Sequence, residues 1–333
     1  MSNFAAFNQA RPTLMITIER YDAALRGEWN ELVRRSRNGT LLHERDYMDY
    51  HSDRFDDCSL LARDDAGRLL AALPANRVGD TLWSHQGLSY GGWLMPSKRI
   101  DATVMLNVME AALQWMRAQG ITRLIYKPVP HIYHRYPAEE DLYALWRCGA
   151  TVVETSISTT IDLLSPLPLD RGNKSGLRVA QRAAMAVGAS DDWPAYWQLL
   201  EAVLAERHDA KPVHTVDEML LLHSRFPDSI VLHTATLHGE LMAGVVMYYT
   251  PTVAHCQYIA SSQAGRELHA LTALFEHLKE DARSRSCRYL DFGISTESHG
   301  LVLNNGLLQQ KARLGGRGTI TQVLEVSCEL RDE

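Results

Sequence analysis

Two stretches of the chain read alike. Residues Cys58 to Asn76 run CSLLARDDAGRLLAALPAN, and residues Ile230 to Tyr249 run IVLHTATLHGELMAGVVMYY. In each, small and apolar residues flank a turn with a glycine: Asp65-Ala66-Gly67 in the first, His238-Gly239 in the second. That is the pattern of two strands joined by a hairpin. The second copy lies roughly half a chain length after the first, so the sequence reads as an internal repeat.

The repeat extends outward from both hairpins. Each is followed by a further strand, a long helix and another strand. The first helix is expected over Asp101 to Gln119, with Met105, Val108, Met109 and Ala112 as its apolar stripe. Gly120 ends it, and strand Ile121 to Tyr126 follows. The second helix is expected over Glu267 to Arg285, striped by Leu271, Leu274, Phe275 and Leu278, with strand Cys287 to Phe292 after it. Helical runs precede both hairpins, Trp29 to Arg54 and Trp193 to Phe226. Within the second run, Thr215-Val216-Asp217-Glu218 is a capping box. The stretch Ser165 to Lys174, SPLPLDRGNK, breaks regular structure and divides the chain into residues 1–165 and 166–333.

Bulk composition agrees with two domains. At 333 residues and 46% hydrophobic, the chain is longer than one core usually grows. With 22% charged residues, no large part is expected to be disordered. A net charge of -6 argues against a general nucleic-acid binder, which needs cations to neutralise phosphates. The five cysteines form no CxxC pair and read as reduced thiols. Met1 to Arg11 lacks the pattern of a signal peptide, and no apolar run reaches membrane-spanning length, so a cytoplasmic protein is expected. There is no P-loop, GxGxxG or HExxH. His131 and His134 have metal-like spacing but no evident partner ligands, so no metal is expected.

Several strings carry a family resemblance: LLHERDYMDYHSDRF at Leu41 to Phe55, LPAN at Leu73 to Asn76, SHQGLSYGGW at Ser84 to Trp93, VAHCQYIASS at Val253 to Ser262, and LDFGISTESHGLVLNNGLLQQKARLGG at Leu290 to Gly316. With the element order, they resemble the FemAB-like proteins of the GNAT superfamily, many of them linked to bacterial surface-polysaccharide clusters. The resemblance implies an α/β (α+β) fold of two tandem GNAT-like domains, each a mixed central sheet flanked by helices. It implies an acyltransferase with acyl-CoA as co-substrate. The acceptor it implies is the amino group of a nucleotide- or lipid-linked amino-sugar or of a peptide, on a cell-envelope precursor. Aminoacyl-tRNA is the alternative donor, disfavoured by the acidic charge. In the family, a Gly-Leu pair precedes a lysine near the acyl-donor site, and Lys311 matches that lysine. The usual pyrophosphate pattern, Q/R-x-x-G-x-G/A, is not intact; the nearest run is Gln263 to Glu267.

Read residue by residue, strand alternation places Val253, His255, Gln257 and Ile259 on one face and Ala254, Cys256, Tyr258 and Ala260 on the other. His255 is a candidate general base, since imidazole titrates near working pH. Glu297, in the polar loop after DFG, is a second, and Tyr258 completes the catalytic candidates. Asp291 reads as a turn former or N-cap. Candidate substrate-binding residues are His85, Gln86, Tyr90 and Gly91 in the polar-glycine cluster, Lys127 before KPVPHIYHRYP, Gln257 beside His255, and Asn304, Asn305 and Lys311. Each has a plainer alternative: a surface histidine, a tight turn without ligand, a rigid connector or a solvated lysine. Lys174, Arg178 and Arg182 form one helical stripe, more readily a solvated face than a phosphate clamp. His85 and Tyr90 are expected to share a groove with His255, Glu297 and Lys311, and the second half to hold the donor. A non-catalytic GNAT-fold binding protein is the competing function. A hydrolase is disfavoured for want of a nucleophile elbow.

Overall fold

In the computed structural model, which describes residues 15–96, 98–208 and 211–329, both hairpins form at their glycines. Gly67 (φ +72°) and Gly239 (φ +85°) hold the left-handed conformation that such turns need. The stretch Met1 to Arg11, read above for targeting, lies outside the described residues. The first half runs β1 (Thr17–Arg20), α1 (Arg26–Arg35), α2 (Arg45–Met48), β2 (Leu60–Arg63), β3 (Leu69–Leu73), β4 (Asn76–Val78), β5 (Thr81–Trp83), α3 (Ala102–Ala118), β6 (Arg123–Tyr126), α4 (Glu140–Arg147) and β7 (Thr151–Asp162). The second runs α5 (Arg171–Arg182), β8 (Ala186–Ala189), α6 (Trp193–His208), α7 (Val216–Arg225), β9 (Ile230–Leu237), β10 (Glu240–Tyr249), β11 (Val253–Ser261), α8 (Gln263–Glu267), α9 (Ala270–Ser284), β12 (Tyr289–Ile294), β13 (Thr296–Glu297), β14 (Val302–Leu303), α10 (Asn305–Arg313) and β15 (Arg317–Ser327).

The repeat is visible in the pairing. In each half a parallel pair is joined through a helix: β5 and β6 through α3, β11 and β12 through α8 and α9. The final strand of each half then crosses over. β15 pairs with β6 of the first half, and β7 pairs with β12 of the second. β7 and β15 pair with each other from Arg317↔Thr160 to Glu325↔Thr151. The result is one ten-stranded sheet, ordered β4-β5-β6-β15-β7-β12-β11-β10-β9-β8. Pseudo-repetition and a continuous sheet coexist because the halves exchange their last strands. The first hairpin instead joins β1 in a separate three-stranded sheet. Pro74, which has no N–H to donate, separates β3 from β4, whereas β10 runs unbroken.

The cores are exchanged as well. Met105, Val108, Met109, Ala112 and Met116 of α3 pack with Leu82 and Leu124, but also with Leu324 and Val326 of β15. Leu274, Phe275 and Leu278 of α9 pack with Val245 and Ala254, but also with Ile161 of β7. A third core joins Trp29, Leu41 and Tyr47 of the first half to Trp193, Trp197 and Tyr248 of the second. Each large side chain so buried stabilises by about 1.5–3 kcal/mol relative to exposure.

Local signals hold with two departures. Asp101 caps α3 through Val104 N–H, and Thr215 and Glu218 form the capping box of α7. The second crossover helix is not continuous: His269 sits at φ +55° and divides α8 from α9. Gly176 of α5 lets that helix lie against the His269 ring, where a Cβ would come within 2.4 Å of Nδ1. The second departure is in β11. Val246 pairs with Tyr258 and Met247 with Cys256, so Gln257 is an extra, bulged residue. Strict alternation therefore fails beyond it. Tyr258 and Ala260 join the core face of Val253, and Ile259 turns toward the α9 core.

The exchanged strands predict interdependence. Residues 1–165 expressed alone should lack cooperative unfolding, because β6 loses its partner and α3 loses Leu324 and Val326; co-expression with residues 166–333 should restore it. Circular dichroism and gel filtration of the separate and mixed halves check this. A cooperatively folded 1–165 fragment would contradict it.

Candidate active site

Alternation along the central strands separates the two faces of the sheet. Leu124, Leu324, Ile161, Leu290 and Cys256 face the helices α3 and α9. Their neighbours, turned the other way, line a cavity of about 1020 Å³ that crosses the seam between the halves. Ser156 and Ser158 of β7 and Thr319 and Thr321 of β15 give it a hydroxyl floor. Trp83, Gln86, Tyr90, Lys127 and Tyr133 come from the first half, and His255, Gln257, Asp291 and Gly293 from the second.

At the base of this cavity lies a polar network around Asp291. The residue is 3% exposed and sits within β12, directly beside His255 in the parallel ladder. The expectation of a turn former or N-cap is corrected: Asp291 is a buried strand residue. Its Oδ2 accepts from His255 Nδ1 at 2.8 Å and from the Tyr133 hydroxyl at 3.3 Å. Its Oδ1 accepts from the hydroxyls of Ser158 and Thr160. Thr319 in turn donates to Thr160. Burial alone would raise the Asp291 carboxyl, but the hydrogen bond and charge of His255 and the two hydroxyls outweigh it and hold the carboxyl below its usual range. An ionised carboxylate only accepts, so Nδ1 carries the proton and the half-buried His255 has a bare Nε2 when neutral.

Beyond this pair the strands part. β11 and β12 pair only from Val253↔Tyr289 to His255↔Asp291; past that point β11 keeps to β10, and β12 keeps to β7. A V-shaped gap thus opens with His255 and Asp291 at its apex. The equivalent gap in the first half is closed. Ser84 N–H donates to the Ile125 carbonyl, Ser84 Oγ accepts from Lys127 N–H at 2.7 Å, and Gly91 N–H donates to the Lys127 carbonyl at 2.9 Å. The close approach that Gly91 permits is to the chain itself: a Cβ there would lie 2.0 Å from the Ser84 carbonyl oxygen.

The other candidates divide into those at the cavity and those away from it. Gln86, Tyr90, Lys127, His255 and Gln257 line it together. The Lys127 ammonium, pushed down by burial and partly restored by Glu154, donates to the Leu88 carbonyl. His85 does not line it. That ring is buried, stacks on His51 at 5.6 Å, and is pushed down to about 3, chiefly by burial, so it is neutral. The bulge directs Tyr258 to His214, whose Nδ1 lies 2.6 Å from the phenol oxygen. Glu297 is exposed in the short β13–β14 hairpin and accepts from Asn304, which caps α10; Asn305 is the exposed first residue of that helix. The shared groove expected for His85, Glu297 and Lys311 is corrected to this extent: none of the three lines the cavity. Lys311 is nonetheless buried, neither solvated nor open to a ligand. Its Nζ donates to the carbonyls of Gly293 and Ile294, both at 2.8 Å. Lys174, Arg178 and Arg182 form an exposed face of α5.

The residues missed from sequence are Asp291, Tyr133, Ser158 and Thr160. A signal for the last two exists: in TVVETSISTTID, Glu154, Ser156, Ser158 and Thr160 recur at period two, a polar face on a strand.

Lys311 provides a test of this interior. Burial pushes its ammonium down to about 8 against the raising effects of Asp291 and Cys256. Below pH 8 it is charged in both folded and unfolded chains, and the fold carries the cost of burying it. Between about pH 8 and 10.5 the unfolded chain binds more protons, so stability should rise with pH. Urea unfolding should show the wild type gaining on Lys311→Met across that window, by up to about 3 kcal/mol. Parallel pH dependences would contradict the placement.

Comparison with known proteins agrees with this architecture. Residues 169–299 match the family model of an acetyltransferase (GNAT) domain. No curated protein sequence matches the chain significantly. Among solved structures, FemX superposes with a TM-score of 0.65 at 12% identity, over 92% of this chain and 96% of that one. L-PGS from Bacillus licheniformis gives 0.61 at 13% identity, over 94% of both chains. The C-terminal domain of a putative lysylphosphatidylglycerol synthetase from Agrobacterium fabrum gives 0.56 at 12%, over 89% and 91%. At such identities the likeness is one of fold. The chain is therefore an α/β protein with two tandem GNAT-like units, and the match to the acetyltransferase domain falls on the second.

Proposed function

We propose that the protein is an N-acyltransferase whose second half, residues 166–333, receives the acyl donor and whose first half, residues 1–165, helps bind an amine acceptor. The observation that carries this reading is the V between β11 and β12, which opens into the cavity directly past His255 and Asp291. A pantetheine arm is narrow and extended, and suits a gap between parting strands. Gly265 does not serve as a phosphate cradle: its Cα packs on β10, with a Cβ position 2.0 Å from the Met242 carbonyl oxygen. The cationic face of α5, which lies against the start of α9 through Thr272 and Asn173, supplies charge for donor phosphates instead. Acyl-CoA is the favoured donor.

In this reading His255 Nε2 takes the proton of the acceptor amine as its nitrogen attacks the thioester carbonyl carbon. The C–N bond forms, the tetrahedral intermediate collapses, the C–S bond breaks, and the proton passes to the leaving thiolate. Asp291 holds the imidazole with Nδ1 protonated and stabilises its cation. The acceptor proposed is the amino group of a cell-envelope saccharide or peptidoglycan precursor, presented on the cytoplasmic side. The hydroxyl floor and the Gln86, Gln257 and Lys127 side chains suit a polyhydroxylated or phosphorylated ligand. Among the described residues no helix is long and apolar enough to cross a membrane. An aminoacyl-tRNA donor is the second reading, favoured by the missing glycine cradle.

Thermal-shift screening against acyl-CoAs, aminoacyl-tRNA mimics and nucleotide amino-sugars identifies the donor and acceptor by mass action. With those in hand, His255→Ala should lower kcat/KM by about 10²–10⁴ and abolish the acid limb of its pH profile. Glu297→Gln, exposed and not among the residues that line the cavity, should change it by less than about threefold, the scale of a surface substitution. A His255→Ala variant with wild-type rate and profile would remove His255 as the base.

A further inference from the structure

Resting on His255 as the base, we infer that Tyr133, a residue of the first half, is a positioning residue that tunes the base of the second half through Asp291. Tyr133 ends a 3-10 turn, His131–Tyr133, set up by Pro128 and Pro130, and is 4% exposed. Its hydroxyl reaches across the seam to the same carboxylate oxygen, Oδ2, that accepts the His255 proton donor. It also lies 3.3 Å from His255 Nδ1 itself. The turn is fixed on both sides: Thr252 Oγ1 donates to the Ile132 carbonyl at 2.8 Å, and the Tyr133 ring packs on Tyr90 at 4.6 Å.

The consequence follows from donor counting. A carboxylate offers about four lone-pair directions, and Asp291 meets four donors: His255, Tyr133, Ser158 and Thr160. Each donor other than His255 withdraws charge that would otherwise stabilise the imidazolium. The remaining groups around the site are common to wild type and variant, and the charge of Lys311 acts on Asp291 in both. Lys311 is occupied by two backbone carbonyls, and burial keeps Cys256, Tyr90 and Tyr248, the last facing His255 across the ladder, in their neutral forms. Among the described residues, Tyr133 is thus the one donor to Asp291 that comes from a loop and not from a strand.

Tyr133→Phe keeps the ring and its packing and removes only the hydroxyl. It should move the midpoint of the acid limb of kcat/KM upward by roughly 0.5–1 pH unit, the scale of losing one hydrogen bond to a charged group shared over two partners. Ser158→Ala should move it the same way, and the double variant further. Asp291→Asn should shift the His255 proton away from Nδ1, seen in the nitrogen-15 spectrum of the ring. The same spectrum, followed against pH, reads the Tyr133→Phe effect without any turnover. An upward-moved ring titration in a variant of unchanged melting temperature supports the inference, even if acyl transfer is never found. An unmoved titration overturns it, even if the protein is an active acyltransferase.

Discussion

The antiparallel pairing of β7 with β15 is the contact on which the rest of the molecule depends. Each is the last strand of its half, and each leaves its own half to complete the sheet of the other. Without β7 and β15 both parallel pairs would end in open edges, a standing invitation to aggregation. With them, one sheet runs through the molecule, and its two helix-covered cores contain residues from both halves. The hydroxyl floor of the cavity is made of these same two strands, so stability and site share one set of backbone hydrogen bonds.

From this seam the asymmetry of the two halves follows. Equivalent strands part in both, at Trp83 and Ile125 in the first and at His255 and Asp291 in the second. In the first the segment 84–93 folds into the opening, and Ser84, Gly91 and Tyr126 pin it there. In the second the opening stays clear, and its apex holds an ionised carboxylate hydrogen-bonded to an imidazole. One half of the duplication has become a wall and the other a slot. The wall still reaches the chemistry, because the loop after β6 delivers Tyr133 to Asp291.

How far the sequence alone could go depended on the range of the interaction. The hairpins at Gly67 and Gly239, the stripe of α3 and its stop at Gly120, and the capping box of α7 are set by neighbours a few residues apart, and all were readable. The exchange of β7 and β15 was not, since nothing local in either strand distinguishes its own sheet from the other. The bulge at Gln257 adds one residue to a ladder, which only the register with β10 reveals, and it sent Tyr258 away from the cavity. His255, Gln257, Tyr90, Gln86 and Lys127, which line the cavity, stood out in the sequence as polar side chains on otherwise apolar strands and loops. Asp291 was misread because DFG resembles a turn. Its partners His255, Ser158 and Tyr133 lie 36, 133 and 158 residues away in sequence, so no local pattern shows that its charge is compensated.

The central claim is that the donor enters the second half and not the first. A crystal structure with a thioether analogue of an acyl-CoA bound addresses it most directly. The account predicts that the pantetheine arm lies between β11 and β12, with its thioether sulfur beside His255, and that segment 84–93 keeps its place. Pantetheine between β5 and β6, with Ser84 and Gly91 displaced, would contradict it.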